Sequence, residues 1–275
     1  MKTLIIGDTH LMAGLILPLV DAHIESLGIR HIIFAGDYTD QWDQTDNPAL
    51  YFKDLQFLID WKARKEMEGI QVTCLLGNHD IPYLIELPVS YTLKYEDHQR
   101  KVKELLLQLN SQISCWSNGF LISHGGYLSD VQVEDWHQQP LPRDLHFFTH
   151  GDLYEELTQI VQHAGTCRGG LFPYGSPVWA DAGSEFVHYP SNHYPQQIVG
   201  HCPVSRISEV RQEDCRILAI DTFSLSHAPY WPHYYPLSSI AGALLLEGGQ
   251  YTAIPIPEWT ELPDERFAEY FGITQ

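Results

Sequence analysis

The sequence predicts an α/β (α+β) chain in which two packed mixed β-sheets are flanked by α-helices. Short apolar runs alternate with helical periodicity through the first third, and strand-like runs dominate the final third. A third observation locates the chemistry. Polar clusters carrying Asp, Asn and His follow directly on the apolar runs.

The runs Thr3-Leu4-Ile5-Ile6, His31-Ile32-Ile33-Phe34-Ala35, Val72-Thr73-Cys74-Leu75-Leu76 and Phe120-Leu121-Ile122 are short, continuous and partly β-branched, as buried strands are. Between the first two, residues 15–27 set Leu15, Leu19, Val20, His23, Ile24 and Leu27 on one helical face, with Pro18 requiring a helix start close to it. Residues 48–66 repeat the pattern through Leu50, Leu55, Leu58, Ile59 and Lys62, so two βαβ units with parallel pairing are expected. A helix over about 96–109 (Val102, Leu105, Leu106, Leu109) precedes short strands near 112–115 and 119–122. The stretch 127–197, rich in Pro, Gly, His and aromatics, reads as a loop-rich insertion with one helix near 151–163. Strands return at 198–199, 206–210, 215–220, 241–247 and 251–255 and suggest a second sheet. At 275 residues and 44% hydrophobic, the chain 1–275 is read as a single domain.

The formal charge of −19 argues against a nucleic-acid duplex held by phosphate neutralisation, which needs clustered Lys and Arg. Five cysteines, odd in number and without paired spacing, suggest neither a disulfide framework nor a Cys-type zinc site, and a reducing compartment follows. From Met1 the chain reaches Asp8 after one brief apolar run, too short for a signal segment or a membrane span. A cytoplasmic protein without membrane association is therefore expected.

The polar clusters are Gly7-Asp8-Thr9-His10, Gly36-Asp37-Tyr38-Thr39-Asp40, Gly77-Asn78-His79-Asp80 and Ser123-His124-Gly125-Gly126. Each falls at the carboxyl end of an expected strand, where open α/β sheets place ligands. Mixed imidazole and oxygen donors suit divalent first-row metals, and a two-metal site needs a bridging carboxylate. Asp8 and His10, two residues apart, point to one side of an extended segment and can share an ion. Asp37 is the natural bridge; Asn78, His124 and His201 complete a second ion. Two ions about 3.5–4 Å apart can hold a hydroxide as in-line nucleophile. Singly, the clusters read equally well as a helix N-cap, a turn and a loop bend. Together they read as a dinuclear metal site.

With Gly200-His201-Cys202-Pro203 added, these motifs resemble in order and spacing those of calcineurin-like metallophosphoesterases, over residues 1 to about 205. The resemblance implies a four-layer sandwich, two divalent ions (manganese, iron or zinc) and hydrolysis of phosphate esters by metal-bound hydroxide. His124-Gly125-Gly126, and a histidine followed two residues later by Pro203, are similar to the phosphoprotein phosphatase and diadenosine tetraphosphatase branch. By the same resemblance His79 is the general acid that protonates the leaving oxygen, and Asp40 orients it. The implied enzyme is a phosphomonoesterase or serine/threonine-protein-phosphatase-like hydrolase of phosphorylated small molecules, nucleotides or phosphoproteins. A phosphodiesterase or dinucleoside polyphosphate hydrolase is the alternative, and a noncatalytic scaffold of the same fold a further one.

One position departs from that branch. Where it carries an arginine that grips phosphate, this chain has Gln41, whose amide can bond one phosphate oxygen but cannot match a bidentate guanidinium. Arg168, in Cys167-Arg168-Gly169-Gly170, is the candidate replacement, against a solvated turn arginine as the plainer reading. Trp179-Ala180-Asp181 resembles a Trp-x-Asp loop near the active site of that branch. Asp80 is expected to brace its turn, Asp221 to have a structural role, and the aromatic run 230–236 to be a packed connection.

Overall fold

A computed structural model describes residues 1–143, 152–228 and 233–273. In chain order the first elements are β1 (Thr3–Ile6), α1 (Ala13–Leu27), β2 (His31–Phe34), α2 (Pro48–Met67), β3 (Gln71–Cys74), α3 (Ile81–Leu84), α4 (Glu96–Gln108), β4 (Ser114–Ser117), β5 (Phe120–Ser123) and α5 (Asp152–Gln162). They are followed by β6 (Gln196–Val199), β7 (Ser208–Gln212), β8 (Cys215–Ala219), β9 (Leu225–Ala228), β10 (His233–Pro236), β11 (Gly242–Glu247), β12 (Gln250–Pro255), α6 (Pro257–Thr260) and α7 (Asp264–Phe271).

Two five-stranded sheets form, in the orders β12-β11-β1-β2-β3 and β4-β5-β6-β8-β7. In the first, β1, β2 and β3 are parallel, as the βαβ reading requires, and β11 runs antiparallel to β1. In the second, β5, β6 and β8 are parallel, with antiparallel β4 and β7 at the edges.

The two-residue side-chain period sorts the core. Leu4 and Ile6, Ile32 and Phe34 face the helices, whereas Ile5 and Ile33 meet Ile122, Ile198 and Leu218 of the second sheet. The far side of the second sheet is covered by irregular chain. There Val199, Ile217 and Ala219 pack against Leu128, Ala180 and Phe186 of the 127–197 stretch.

Several expectations need adjusting. The strands near 112–115 and 119–122 lie at 114–117 and 120–123, with Gln112 making only an isolated bridge to Leu75. The late strands do not all join the second sheet, since β11 and β12 extend the first. The hairpin β9–β10 was not anticipated; part of the 230–236 run lies outside the described residues, and Tyr234 within it is fully buried.

Pro18 does not mark a helix start, because α1 begins at Ala13. Its ring is exposed while Leu15, Ile16, Leu17, Val20 and Ile24 are buried. Burying each such side chain contributes about 1.5–3 kcal/mol, enough together to outweigh the roughly 3 kcal/mol cost of an interior proline. The start of α1 is held from elsewhere. The Asp54 carboxylate on α2 accepts from the N–H groups of Ala13 (3.1 Å) and Gly14 (3.0 Å) and from the Tyr270 hydroxyl. No helix among the described residues is long and apolar enough to cross a membrane.

Candidate metal centre and active site

The site collects where strands of both sheets end. Asp8 follows β1, Asp37 follows β2, Asn78 follows β3, His124 follows β5 and His201 follows β6. Ordinary extended chain does not aim them. His10 (φ 40), Asp37 (φ 54), Asp40 (φ 61) and His201 (φ 62) lie in the left-handed region, which costs about 1–3 kcal/mol each unless the surroundings hold it. Asp8 and His10 therefore converge through a turn and not, as expected, along an extended segment.

Buried hydrogen bonds hold these turns. The Asp80 carboxylate accepts from the N–H groups of Gly77 (3.0 Å), Asp37 (2.9 Å) and Tyr38 (2.9 Å), the bracing role expected of it. Asp8 accepts from the His201 N–H at 3.0 Å, and the Asp37 carbonyl accepts from those of Thr9 (3.1 Å) and His10 (2.9 Å). A Cβ at Gly77 would strike the Asp37 carboxylate, and one at Gly200 the Asp8 carboxylate. Both clusters need glycine for that close approach.

The side chains fall into two donor groups that share Asp37. Asp8, His10 and Asp37 form one, Asp37, His124 and His201 the other, each with its ligand atoms within 4.8 Å of one another. His10 Nδ1 donates to the carbonyls of Thr39 (3.1 Å) and Asp40 (3.0 Å), leaving the Nε2 lone pair 3.8 Å from both Asp8 and Asp37. His124 Nδ1 donates to the Ala35 carbonyl at 2.9 Å. Its Nε2 then faces Asn78 Oδ1 (3.0 Å), Asp37 (3.2 Å) and His201 Nδ1 (3.2 Å).

With both imidazole tautomers set by backbone carbonyls, lone pairs converge on lone pairs, and His201 Nε2 is buried without a partner. A cation between them relieves that repulsion, so the donor set fits divalent metal ions. The electrostatics agree. Burial, Asp221 and Asp37 all push the Asp8 carboxyl above its usual range, and burial with Asp37 pushes Asp80 up to about 7. Burial opposes ionisation of Asp37 too, but positive charge on the surrounding His124, His79 and His10 rings would hold it well below the usual range, the part a bound cation takes when His10 and His124 offer lone pairs.

Beside the shared carboxylate stands His79. Its Nδ1 bonds Asp40 at 3.0 Å, and its N–H donates to Asp37 at 2.9 Å. The other Asp40 oxygen accepts from the hydroxyls of Tyr51 (2.7 Å) and Tyr83 (2.5 Å). Burial favours neutral His79, but Asp37, Asp40 and Asp80 outweigh it and raise its pKa. Tyr51 and Tyr83 are absent from the sequence reading because nothing in their spacing marks them; they read as apolar-face residues of α2 and α3. Tyr91, its ring 4.4 Å from that of His79, was missed for the same reason.

A cavity of about 450 Å³ opens over this arrangement, walled by His79, Asn78, His201, Arg168, Trp179 and Tyr91. Gln41 lines it with its amide spent: the nitrogen donates to the His10 carbonyl (3.2 Å) and Met12 sulfur (3.5 Å), and the oxygen accepts from the Trp42 N–H (2.9 Å). Neither end is free for a phosphate. Arg168 reaches the cavity, paired with Asp181 at 2.9 Å and touching the Cys202 sulfur at 3.0 Å. The Trp179-Ala180-Asp181 loop thus borders the site, and Trp179 meets the His201 ring edge-on at 5.6 Å. Asp221 also lines the cavity, its carboxylate held by the Ser224 hydroxyl at 2.8 Å.

The family model for calcineurin-like phosphoesterases matches residues 1–215. The chain belongs to that family. It is a metal-dependent phosphate ester hydrolase, and its two mixed sheets with their helices are the family's sandwich. Solved structures with the same fold include the cold-active protein-tyrosine phosphatase of a psychrophilic Shewanella, 17% identical, covering 93% of this phosphoesterase and 78% of that chain with a TM-score of 0.54. A second structure, of a cold-active protein tyrosine phosphatase at 1.1 Å, gives 17% identity, 92% and 78% coverage and a TM-score of 0.55. No curated protein sequence matches the chain.

Proposed function

We propose that this phosphoesterase is a dinuclear-metal phosphomonoesterase acting on phosphorylated small molecules or proteins, with Asp37 shared between the ions. Asp8 and His10 would hold one ion, Asn78, His124 and His201 the other. When bound, such a pair supplies Lewis acidity toward phosphoryl oxygens and an ionised water as nucleophile. Manganese, iron and zinc all suit these donors.

The observation that carries the reading is the His79–Asp40 pair beside the shared carboxylate, facing the same cavity. With Nδ1–H donated to Asp40, the protonated ring presents Nε2–H to the leaving oxygen, and the raised pKa favours that protonated form. The Tyr51 and Tyr83 hydroxyls fix Asp40 in turn. Among the described residues lining the cavity the only guanidinium is Arg168, already paired with Asp181. That balance favours one phosphoryl group over the several charges of a dinucleoside polyphosphate.

Pairing of β11 with β1 supports one domain across 1–275, because strands beyond residue 215 complete the first sheet. The odd number and unpaired spacing of the five cysteines are the ground on which we place the enzyme in a reducing, cytoplasmic setting.

The test is phosphate release from phosphopeptides, nucleotides and dinucleoside polyphosphates with added manganese, with His79→Asn as control. Monoesters should be preferred. The variant should lose about 10²–10⁴-fold on alkyl esters and less on p-nitrophenyl phosphate, whose leaving group needs no proton. Unchanged alkyl-ester turnover in the variant would refute the assignment of His79.

A further inference from the structure

The cavity wall holds a hydrogen-bond donor that no role described so far uses. Tyr91 sits in the connection between α3 and α4, its ring tilted 45° against the imidazole of His79. Its hydroxyl lies close enough to the Asn78 side chain for that group to favour the ionised phenol, against the burial that pushes it up. Asn78 turns its Oδ1 toward His124 Nε2 at 3.0 Å, so the amide edge left for Tyr91 is the NH₂, which can only donate. A donor on that side takes a phenol lone pair, so the O–H proton is the part of Tyr91 available to the cavity it lines. Of the other groups placed to bind an anion, Gln41 is committed to backbone and Met12, and Arg168 gives its Nη2 to Asp181 and Cys202.

We propose that the Tyr91 hydroxyl donates a hydrogen bond to a nonbridging oxygen of the substrate's phosphoryl group, filling part of the place where this chain has Gln41 instead of arginine. The proposal rests on the phosphoesterase reading of the site. A neutral phenol bonds one oxygen and adds no charge, so substrate is gripped by geometry next to the proton donor and not by a second cation. The same placement sets Tyr91 against His79 on one side and Asn78 on the other, so an effect passed through either neighbour must be separated from direct contact.

The experiment compares the manganese-loaded full chain with Tyr91→Phe, which keeps the ring packing. Inorganic phosphate binding is measured by calorimetry, together with kcat and KM on an alkyl and an aryl monoester, metal content and the pH profile. The expected result is roughly a tenfold loss in both phosphate affinity and kcat/KM, with metal content and the alkaline limb of the profile unchanged. Phosphate affinity and kcat/KM within about twofold of the parent would overturn the proposal, twofold being well inside what one lost bond should cost. So would a loss accompanied by reduced metal content, which assigns Tyr91 to holding Asn78, or by a displaced alkaline limb, which assigns it to positioning His79. If the parent chain binds phosphate but hydrolyses no ester, the phosphoesterase reading fails while the binding comparison still decides on Tyr91.

Discussion

The two donor groups share Asp37 yet sit in unlike surroundings. The group of Asn78, His124 and His201 is the more enclosed: their exposures are 1%, 0% and 8%, only Asn78 and His201 reach the cavity wall, and the His124 tautomer is set by the buried Ala35 carbonyl. In the group of Asp8 and His10, Asp8 is as buried as Asn78, but His10 is half-buried and lines the cavity, its ring edge-on to that of His79 at 5.2 Å and Asp221 near by. A closed set of donors from both sheets locks the sandwich together at one point, whereas the open set leaves room where a phosphoryl group and water must enter. The first behaves as the anchor of the site and the second as its working face.

The largest expected effect breaks both groups at once. Asp37→Asn should abolish binding of the second equivalent of metal and lower kcat/KM by on the order of 10³-fold or more, read by metal analysis and phosphate release. Next, the groups can be broken separately. His201→Ala should lower metal content and thermal stability together, because it opens a buried cluster, while His10→Ala should leave about one ion bound and the fold as stable as the parent. A stability loss as large for His10→Ala as for His201→Ala would erase the difference between anchor and working face.

A smaller effect sharpens the working face through pH. The neighbouring carboxylates raise the His79 pKa against burial, so activity that needs its proton is present below that pKa and is lost as pH rises through it. Asp40→Asn removes part of the raise and should move the alkaline limb of kcat to lower pH, with roughly tenfold lower kcat at neutrality. An unmoved limb would mean another group sets it. Least connected to either group is the carboxylate that holds the start of α1. Asp54→Ala leaves the buried donors of Ala13, Gly14 and Tyr270 unpaired and should cost about 2–3 kcal/mol of stability, with kcat per folded molecule unchanged.

The difference between the two groups also marks what the sequence reveals. Strand-end clusters are legible because each ligand lies within four residues of an apolar run and, His10 apart, beside a glycine, a local pattern. All six metal-ligand candidates follow from that pattern and the His79–Asp40 pair from the family resemblance the clusters carry, and the fold brings these residues together in space. The supports of those residues are not local. Tyr51 and Tyr83 reach Asp40 from α2 and α3, and their ring positions look like ordinary core. Gln41 reads as a free phosphate donor until its contacts with His10, Met12 and Trp42 appear. Likewise Pro18 looks like a helix boundary, because the burial that outweighs its cost is tertiary.

The central claim is that one carboxylate joins a closed and an open metal position. Anomalous diffraction from manganese-soaked crystals tests it most directly. The account predicts two peaks about 3.5–4 Å apart on either side of Asp37, the one beside His124 and His201 better occupied at low manganese. A single peak, or two peaks of which neither touches Asp37, would contradict it.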